Sequence, residues 1–355
     1  AEPLVCLGVF PTGGGPPKVP LGMTINSTTN LPNPESYATY AAEWVKHFKA
    51  KGWNVRFYEI LNEPAVYFGS LPVDYTKLQY YALLFDACRN AMKKENSSII
   101  VSFDCIHKKN ILDPWLTYGG PDVDSLNFHK YDDWKLPPQY TDEEMFAAAE
   151  RLQAWYSIVE AEQVWYRNRG EHLPMICSES NFNGASPNGT TDLRIQQMVG
   201  AVWLALLLRT EILFGVSYHV YFELNSGYYA DSYGFGMINN DFKPWYPYFV
   251  QKWLGNNLAV GDSIINSSSS SVDVRPLAWI HQGTLNVLLI NKVNQTRAVY
   301  LRGITVQMNL SKIDNTIPWT VASVQTDVVD SSQPLIMYGY TVALLQITCL
   351  LYTSP

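Results

Sequence analysis

An α/β chain built as a parallel barrel, followed by a small antiparallel β-sandwich, is the fold the sequence predicts. Three observations predict it. Short apolar runs alternate with amphipathic segments of helical length over residues 1–258. After about Ala259 that alternation gives way to short alternating segments with no helical period. Two of the apolar runs end in glutamate, Glu63 and Glu179, and the carboxyl end of a strand is where a parallel barrel places its chemistry.

Taken in order, Pro3 to Phe10 is an apolar run that predicts a buried parallel strand. The Gly/Pro-rich stretch Pro11 to Pro20 and the polar stretch to Pro34 predict long loops. Ser36 to Lys51 carries Tyr37, Tyr40, Ala41, Trp44, Val45 and Phe48 on one helical face, and Gly52 stops it. Val55 to Ile60 is rich in β-branched and aromatic residues and predicts a strand. Asn62-Glu63-Pro64 ends it, the proline biasing Glu63 towards an extended conformation. Helices are then predicted from about Tyr75 to Lys94, near Ile111 to Leu116, from Glu143 to Arg169, from Asp192 to Leu208 and from about Pro247 to Leu254. Strands at Ile99 to Phe103, Ser125 to His129, Met175 to Asn181 and Phe214 to Phe222 alternate with them, which requires right-handed crossovers. Beyond the serine run Ser267 to Ser271, the segments Leu285 to Ile290, Arg297 to Leu301, Thr320 to Val324 and Thr341 to Ile347 predict the sandwich, over residues 259–348.

Composition narrows the function. Charged residues make up only 16% of the 355 residues and aromatics 14%, with 11 Trp and 23 Tyr. Aromatic rings stack on the apolar faces of sugars, so this suits a carbohydrate-handling surface. A net charge of −7 without a Lys/Arg cluster argues against a nucleic-acid partner. The longest apolar run, Val199 to Leu208, is too short to span a membrane and predicts a buried helix. Cys6, Cys88, Cys105, Cys177 and Cys349 have no metal-ligand spacing and are expected as buried free thiols. The histidines form no His-X3-His pair, and no glycine-rich phosphate loop follows a strand, so neither a metal nor a cofactor is expected. Asn-X-Ser/Thr sequons at Asn26, Asn96, Asn188, Asn266, Asn294 and Asn309 fit an extracellular or cell-surface glycoprotein.

Two glutamates at two strand ends, 116 positions apart, are the minimum equipment for retaining glycoside hydrolysis. Glu63 would protonate the departing oxygen and later deprotonate water; Glu179 would attack the sugar and form the covalent intermediate. Glu59, on the same strand face as Glu63, is expected to point inward as a buried, paired carboxylate. Trp134, Tyr221 and Trp245 are aromatic candidates for stacking on sugar, with Tyr218 on the opposite strand face from Tyr221. A carbohydrate-binding protein without turnover is the alternative reading of the same features.

The run Val55-Arg56-Phe57-Tyr58-Glu59-Ile60-Leu61-Asn62-Glu63-Pro64 resembles the acid/base strand of the retaining glycoside hydrolases of clan A, with families 39 and 5 nearest in character. The resemblance covers residues 1 to about 258 and implies a (β/α)8 TIM barrel in which the acid/base ends the fourth strand and the nucleophile the seventh. Pro3 to Phe10 then becomes the third strand, with the first two missing from the front. It also implies that Asn62 bonds the sugar 2-hydroxyl, that His129 lines the sugar subsite and that Tyr131 donates to the nucleophile. Ser180 stands where family 39 favours tryptophan. The final stretch, Cys349 to Pro355, reads as a translated sequencing-adapter scar outside the fold.

Overall fold

The structure is a computed structural model that describes residues 2–7, 20, 22–29, 31–64, 75–102, 122–133, 139–151, 164, 167–184, 192–225, 234–304, 306–317 and 322–348. The chain divides into two compact units. One comprises Ala1–Lys130, Gln153–Glu179 and Val216–Val220; the other comprises Tyr131–Leu152, Ser180–Gly215 and Tyr221–Pro355.

In the first unit, strands β1 (Leu4–Leu7), β2 (Phe57–Ile60) and β3 (Ile100–Ser102) form a parallel sheet in that order. Strands β4 (Leu126–Asp133), β5 (Met175–Asn183) and β6 (Val216–His219) form another, with β5 and β6 parallel. Only the opening segments of β4 and β5 belong to this unit. All six strands expected from the sequence are therefore present. Among the described residues they make two three-stranded sheets and not a closed barrel. Between β3 and β4 the main chain is joined by a bond from Asp124 N to Val101 O, 3.2 Å.

Helix α1 (Pro34–Ala50) starts where Asn33 Oδ1 accepts the Ser36 amide at 3.0 Å and stops before Gly52, whose φ of +71° suits a residue without Cβ. It packs on α2 (Tyr75–Glu95) through Tyr37, Ala41 and Val45, in one core with Ile60, Leu84, Phe85, Val101, Leu126 and Phe128. Leu126 and Phe128 face this core, which leaves Asn127 and His129 on the other face of β4. Cys88 is buried, and burial pushes its thiol well above the ordinary range. Cys177 is buried as expected, but Cys6 is exposed because β1 is the outer strand of its sheet. Cys105, Cys349 and the helix expected near Ile111 lie outside the described residues.

In the second unit, α3 (Asp142–Ala149) opens with a capping box: Thr141 accepts the Glu144 amide while the Glu144 side chain accepts the Thr141 amide. Of the helix expected over Glu143 to Arg169, α3 and the helical residues Val164, Arg167 and Asn168 are described. A single 3₁₀ turn, Leu193–Gln196, precedes α4 (Met198–Phe214), which is apolar all round and buried from Met198 to Leu207. Gly215, at φ +84°, closes α4 in the left-handed conformation. The expected strand start at Phe214 is thus corrected to Val216. Helix α5 (Tyr246–Asn257) leads into the last strands.

These are β7 (Ser263–Ile265), β8 (Val274–His281), β9 (Thr284–Asn291), β10 (Arg297–Val299), β11 (Gln307–Ile313), β12 (Gln325–Asp330), β13 (Leu335–Met337) and β14 (Thr341–Thr348). Six of them form an antiparallel sheet in the order β12-β11-β14-β9-β8-β7, and β10 pairs with β13. Both sheets feed one core of Leu289, Met308, Leu310, Met337 and Leu345. Of the strand expected at Thr320 to Val324, Thr320 and Val321 lie outside the described residues and Ala322 to Val324 precede β12, which begins at Gln325. Strand β8 was hidden by Pro276, which a central strand excludes. It is tolerated because β7 pairs with β8 only along Ala278–Ile280, so no ladder partner needs an amide from Pro276, whose carbonyl accepts from Arg209 Nε at 2.8 Å.

Glu150, at the end of α3, ties that helix to the sandwich. Its carboxylate takes Arg275 of β8 and, at 2.5 Å, Lys292 just beyond β9. Burial alone would push this carboxyl up; the two cations outweigh burial and hold it below its ordinary range. A carboxylate with a depressed folded-state value adds stability above its unfolded value, and that stability disappears as pH falls through the folded value. Glu150→Gln is therefore expected to lower the stability of this unit by about 1–3 kcal/mol near neutral pH. The difference from the unsubstituted protein should shrink below about pH 4. Denaturant melts at both pH values check it, and a pH-independent difference would contradict it.

Candidate active site

Strand β2 delivers Glu63 by leaving its sheet abruptly. Leu61 N donates to Leu7 O on β1 at 2.9 Å, and Tyr81 of α2 donates its hydroxyl to Ile60 O at 2.8 Å. Beyond these anchors Leu61 has φ +64° and Glu63 φ +45°. The extended conformation expected of Glu63 before Pro64 is therefore corrected to a left-handed one. Two side-chain-bearing residues in that region cost about 1–3 kcal/mol each, a strain that persists only where surrounding contacts over-determine it. Here the contacts are the two buried carbonyl anchors, Leu7 and Ile60.

Strand β4 supplies His129 and strand β5 supplies Glu179. His129 Nδ1 lies 3.0 Å from Glu63 Oε1, and its Nε2 lies 3.9 Å from Glu179 Oε2. One ligand atom from each of the three falls within 4.8 Å of the others. The imidazole is 3% exposed, whereas the Glu63 and Glu179 side chains are 27% and 20% exposed. A buried ring thus lies between two carboxylates that reach solvent, in one unit of the chain. Carboxyls this close can work as a pair on one bond, one carrying a proton and the other a charge. The trio also presents one nitrogen and two oxygens of the kinds that ligate a divalent cation. Spacing rules along the sequence miss such a set because its members come from three strands.

Of the other expected residues, Asn62 is half-buried beside Glu63. Glu59 is 2% exposed and accepts a hydrogen bond from Asn127 Nδ2 at 2.9 Å, the buried and paired carboxylate expected. Tyr131, Tyr221 and Trp245 belong to the other unit. There Tyr131 is buried, Tyr221 donates to Asn181 Oδ1 at 3.1 Å, and burial raises the Tyr221 phenol above its ordinary range. Trp245 is 4% exposed at the start of α5, the environment of a packing residue. Tyr218 stacks on Phe57 with ring centroids 4.7 Å apart. Trp134 lies outside the described residues. Asn127 was missed; the signal was the alternation Leu126-Asn127-Phe128-His129, which sets it on the face of His129.

Removing the Tyr81 hydroxyl leaves the buried Ile60 carbonyl without that donor. Tyr81→Phe is expected to cost about 1–3 kcal/mol in urea unfolding. Unchanged stability would contradict the anchoring role given to Tyr81.

No family model matches the sequence, and no curated protein matches it. Solved structures do match. An α-L-arabinofuranosidase from Thermotoga maritima superposes with a TM-score of 0.61 at 14% identity, covering 87% of this chain and 73% of that one. A family 51 α-L-arabinofuranosidase from Bifidobacterium longum gives 0.63 at 13% identity, covering 88% and 74%. A GH39 β-xylosidase from Caulobacter crescentus gives 0.57 at 14% identity, covering 89% and 72%. At such identity the likeness is one of fold: the chain is similar in architecture to clan A glycosidases that join a TIM barrel to a carboxyl-terminal sandwich.

Proposed function

We propose that the chain is a retaining glycoside hydrolase acting on β-linked oligosaccharide or polysaccharide, with Glu63 as acid/base and Glu179 as nucleophile. The observation that carries this reading is the placing of both carboxylates against His129, with oxygens no more than 4.8 Å apart. Retaining enzymes hold their carboxyls about 5–5.5 Å apart, and inverting ones about 6.5–9.5 Å, to admit a water. The short separation supports retention. In the first step the Glu179 carboxylate attacks the anomeric carbon as the carbon–oxygen bond to the leaving group breaks. Glu63 gives its proton to that oxygen. In the second, Glu63 takes a proton from water, which displaces Glu179 and restores both groups.

Asn62, next to Glu63, is the candidate for the sugar 2-hydroxyl, and His129 lines the subsite. Tyr131, Trp134 and Tyr221 are proposed as binding residues on the resemblance and their ring chemistry alone, whereas Trp245, 4% exposed, packs. Residues 1–258 are read as the catalytic barrel and 259–348 as its sandwich. The matched structures are named as arabinofuranosidases, β-xylosidases and an endoxylanase. Pentose glycosides are accordingly the substrates to screen first. Extracellular or cell-surface placement belongs to the same reading; it is supported by the sequons, of which Asn266, Asn294 and Asn309 are exposed. No helix among the described residues is long and apolar enough to cross a membrane.

Glu179→Gln is expected to abolish turnover while sugar binding, read by calorimetry, persists. Near-normal turnover in that variant would sink the nucleophile assignment. Glu63→Ala should lose about 10²–10⁴-fold on substrates with poor leaving groups. It should lose far less in the first step with very good leaving groups, which need little protonation. Equal losses on both would count against Glu63 as the acid. Sugar binding by the unsubstituted protein with no product from any glycoside would favour the binding-protein alternative.

A further inference from the structure

The catalytic trio is divided between two sheets. Glu63 follows β2 in the β1-β2-β3 sheet, whereas His129 and Glu179 sit on strands of the β4-β5-β6 sheet. Among the described residues no strand ladder joins β3 to β4; one main-chain bond, Asp124 N to Val101 O, crosses between them, and side chains add to it. At the start of β4 this is done by Asp124. Its carboxylate accepts the Val101 amide at 2.9 Å and pairs with Arg89 and Lys93 of α2 at 2.7 and 2.9 Å.

Nearer the site a buried polar chain crosses the same seam. Ser102 of β3 and Ser125 share a hydrogen bond between their hydroxyls. Ser125 Oγ donates to Asn127 Oδ1 at 2.7 Å, and Asn127 Nδ2 donates to Glu59 Oε2 at 2.9 Å. None of these four residues is more than 2% exposed. Asn127 lies two residues before His129 on the same face of β4, and Glu59 lies four residues before Glu63. The last bond of the chain therefore runs from the strand that presents Glu63 to the strand that presents His129.

We propose that the Glu59–Asn127 hydrogen bond is the strut that sets the spacing of Glu63 against His129 and Glu179, which makes Glu59 a positioning residue. The proposal rests on the reading of Glu63 and Glu179 as acid/base and nucleophile. Its physical basis is the steep cost of misplacement: a shift of about 1 Å in reacting groups can cost about 10²-fold in rate. Packing alone gives two apolar surfaces no fixed register. A hydrogen bond between an amide and a carboxylate, both buried, gives one, because leaving either group unpaired there is costly. The requirement is for an acceptor oxygen at the Glu59 position and a donor at the Asn127 position, not for a charge.

Three variants separate the strut from its rivals. Glu59→Gln keeps an acceptor oxygen and should hold kcat within about threefold of the unsubstituted protein. Glu59→Leu removes it and should lower kcat by about 10²-fold while KM changes by less than about threefold. The double variant Glu59→Leu with Asn127→Leu removes both ends of the bond while Ser125 keeps its bond to Ser102, so it should fold even where the single variant does not. Its crystal structure should show the nearest Glu63 and Glu179 oxygens no longer within 4.8 Å of each other. A folded double variant that keeps both the spacing and kcat would overturn the proposal. Equal loss in Glu59→Gln and Glu59→Leu would overturn it as well, by pointing to the charge. If the unsubstituted protein turns over no glycoside, the hydrolase reading fails on its own. The crystallographic spacing in the double variant then still decides the strut, widened in its favour and unchanged against it.

Discussion

Two carboxylates held within 4.8 Å of each other set the terms for the rest of the first unit. His129 lies between them, within hydrogen-bonding distance of Glu63 and beyond it from Glu179. The ring is buried and the carboxylates are not, so the imidazole keeps its position while both oxygens remain accessible to a ligand. That asymmetry suits the role proposed for the trio.

Holding such a trio requires strand ends that do not drift. Leu7 and Tyr81 fix the end of β2 from two directions, one through the neighbouring strand and one through α2. The turn that follows places Leu61 and Glu63 in left-handed backbone, a conformation that an isolated segment would leave. Below it, Asp124 and the Ser102–Ser125–Asn127–Glu59 chain close the break between the two sheets. Backbone strain and buried polar groups, both unfavourable by themselves, are thus concentrated within a few residues of the carboxylates. The second unit buries polar side chains too, among them Asn286, Asn291, Asp314 and Thr341. Its sandwich is held by aliphatic packing of Leu289, Leu310 and Leu345, with Glu150, Arg275 and Lys292 fastening α3 to it.

The sequence carried the strand and helix order well, for identifiable reasons. Strands such as β2 are short apolar or β-branched runs bounded by breakers, and α4 is apolar on every face from Met198 to Leu208, so both stand out from their neighbours. The two glutamates were legible because each closes such a run. Features that arise only when separate strands meet were not legible. The contact of His129 with both carboxylates joins three strands, and the left-handed Glu63 reflects anchors 56 residues before it and 18 after, at Leu7 and Tyr81. Strand β8 escaped because Pro276 normally argues against a strand, and only the short reach of β7 makes it admissible. The strand at Gln325–Asp330 escaped because its side chains are mostly exposed and polar, which leaves no apolar run to see.

The most direct test is the anomeric configuration of the first product, followed by proton NMR during hydrolysis of a β-xyloside or another substrate found by screening. Two carboxylates this close leave no room for a water between nucleophile and sugar, so the product should first appear with the configuration of the substrate. A first product of inverted configuration would contradict the assignment of Glu63 and Glu179 as a retaining pair.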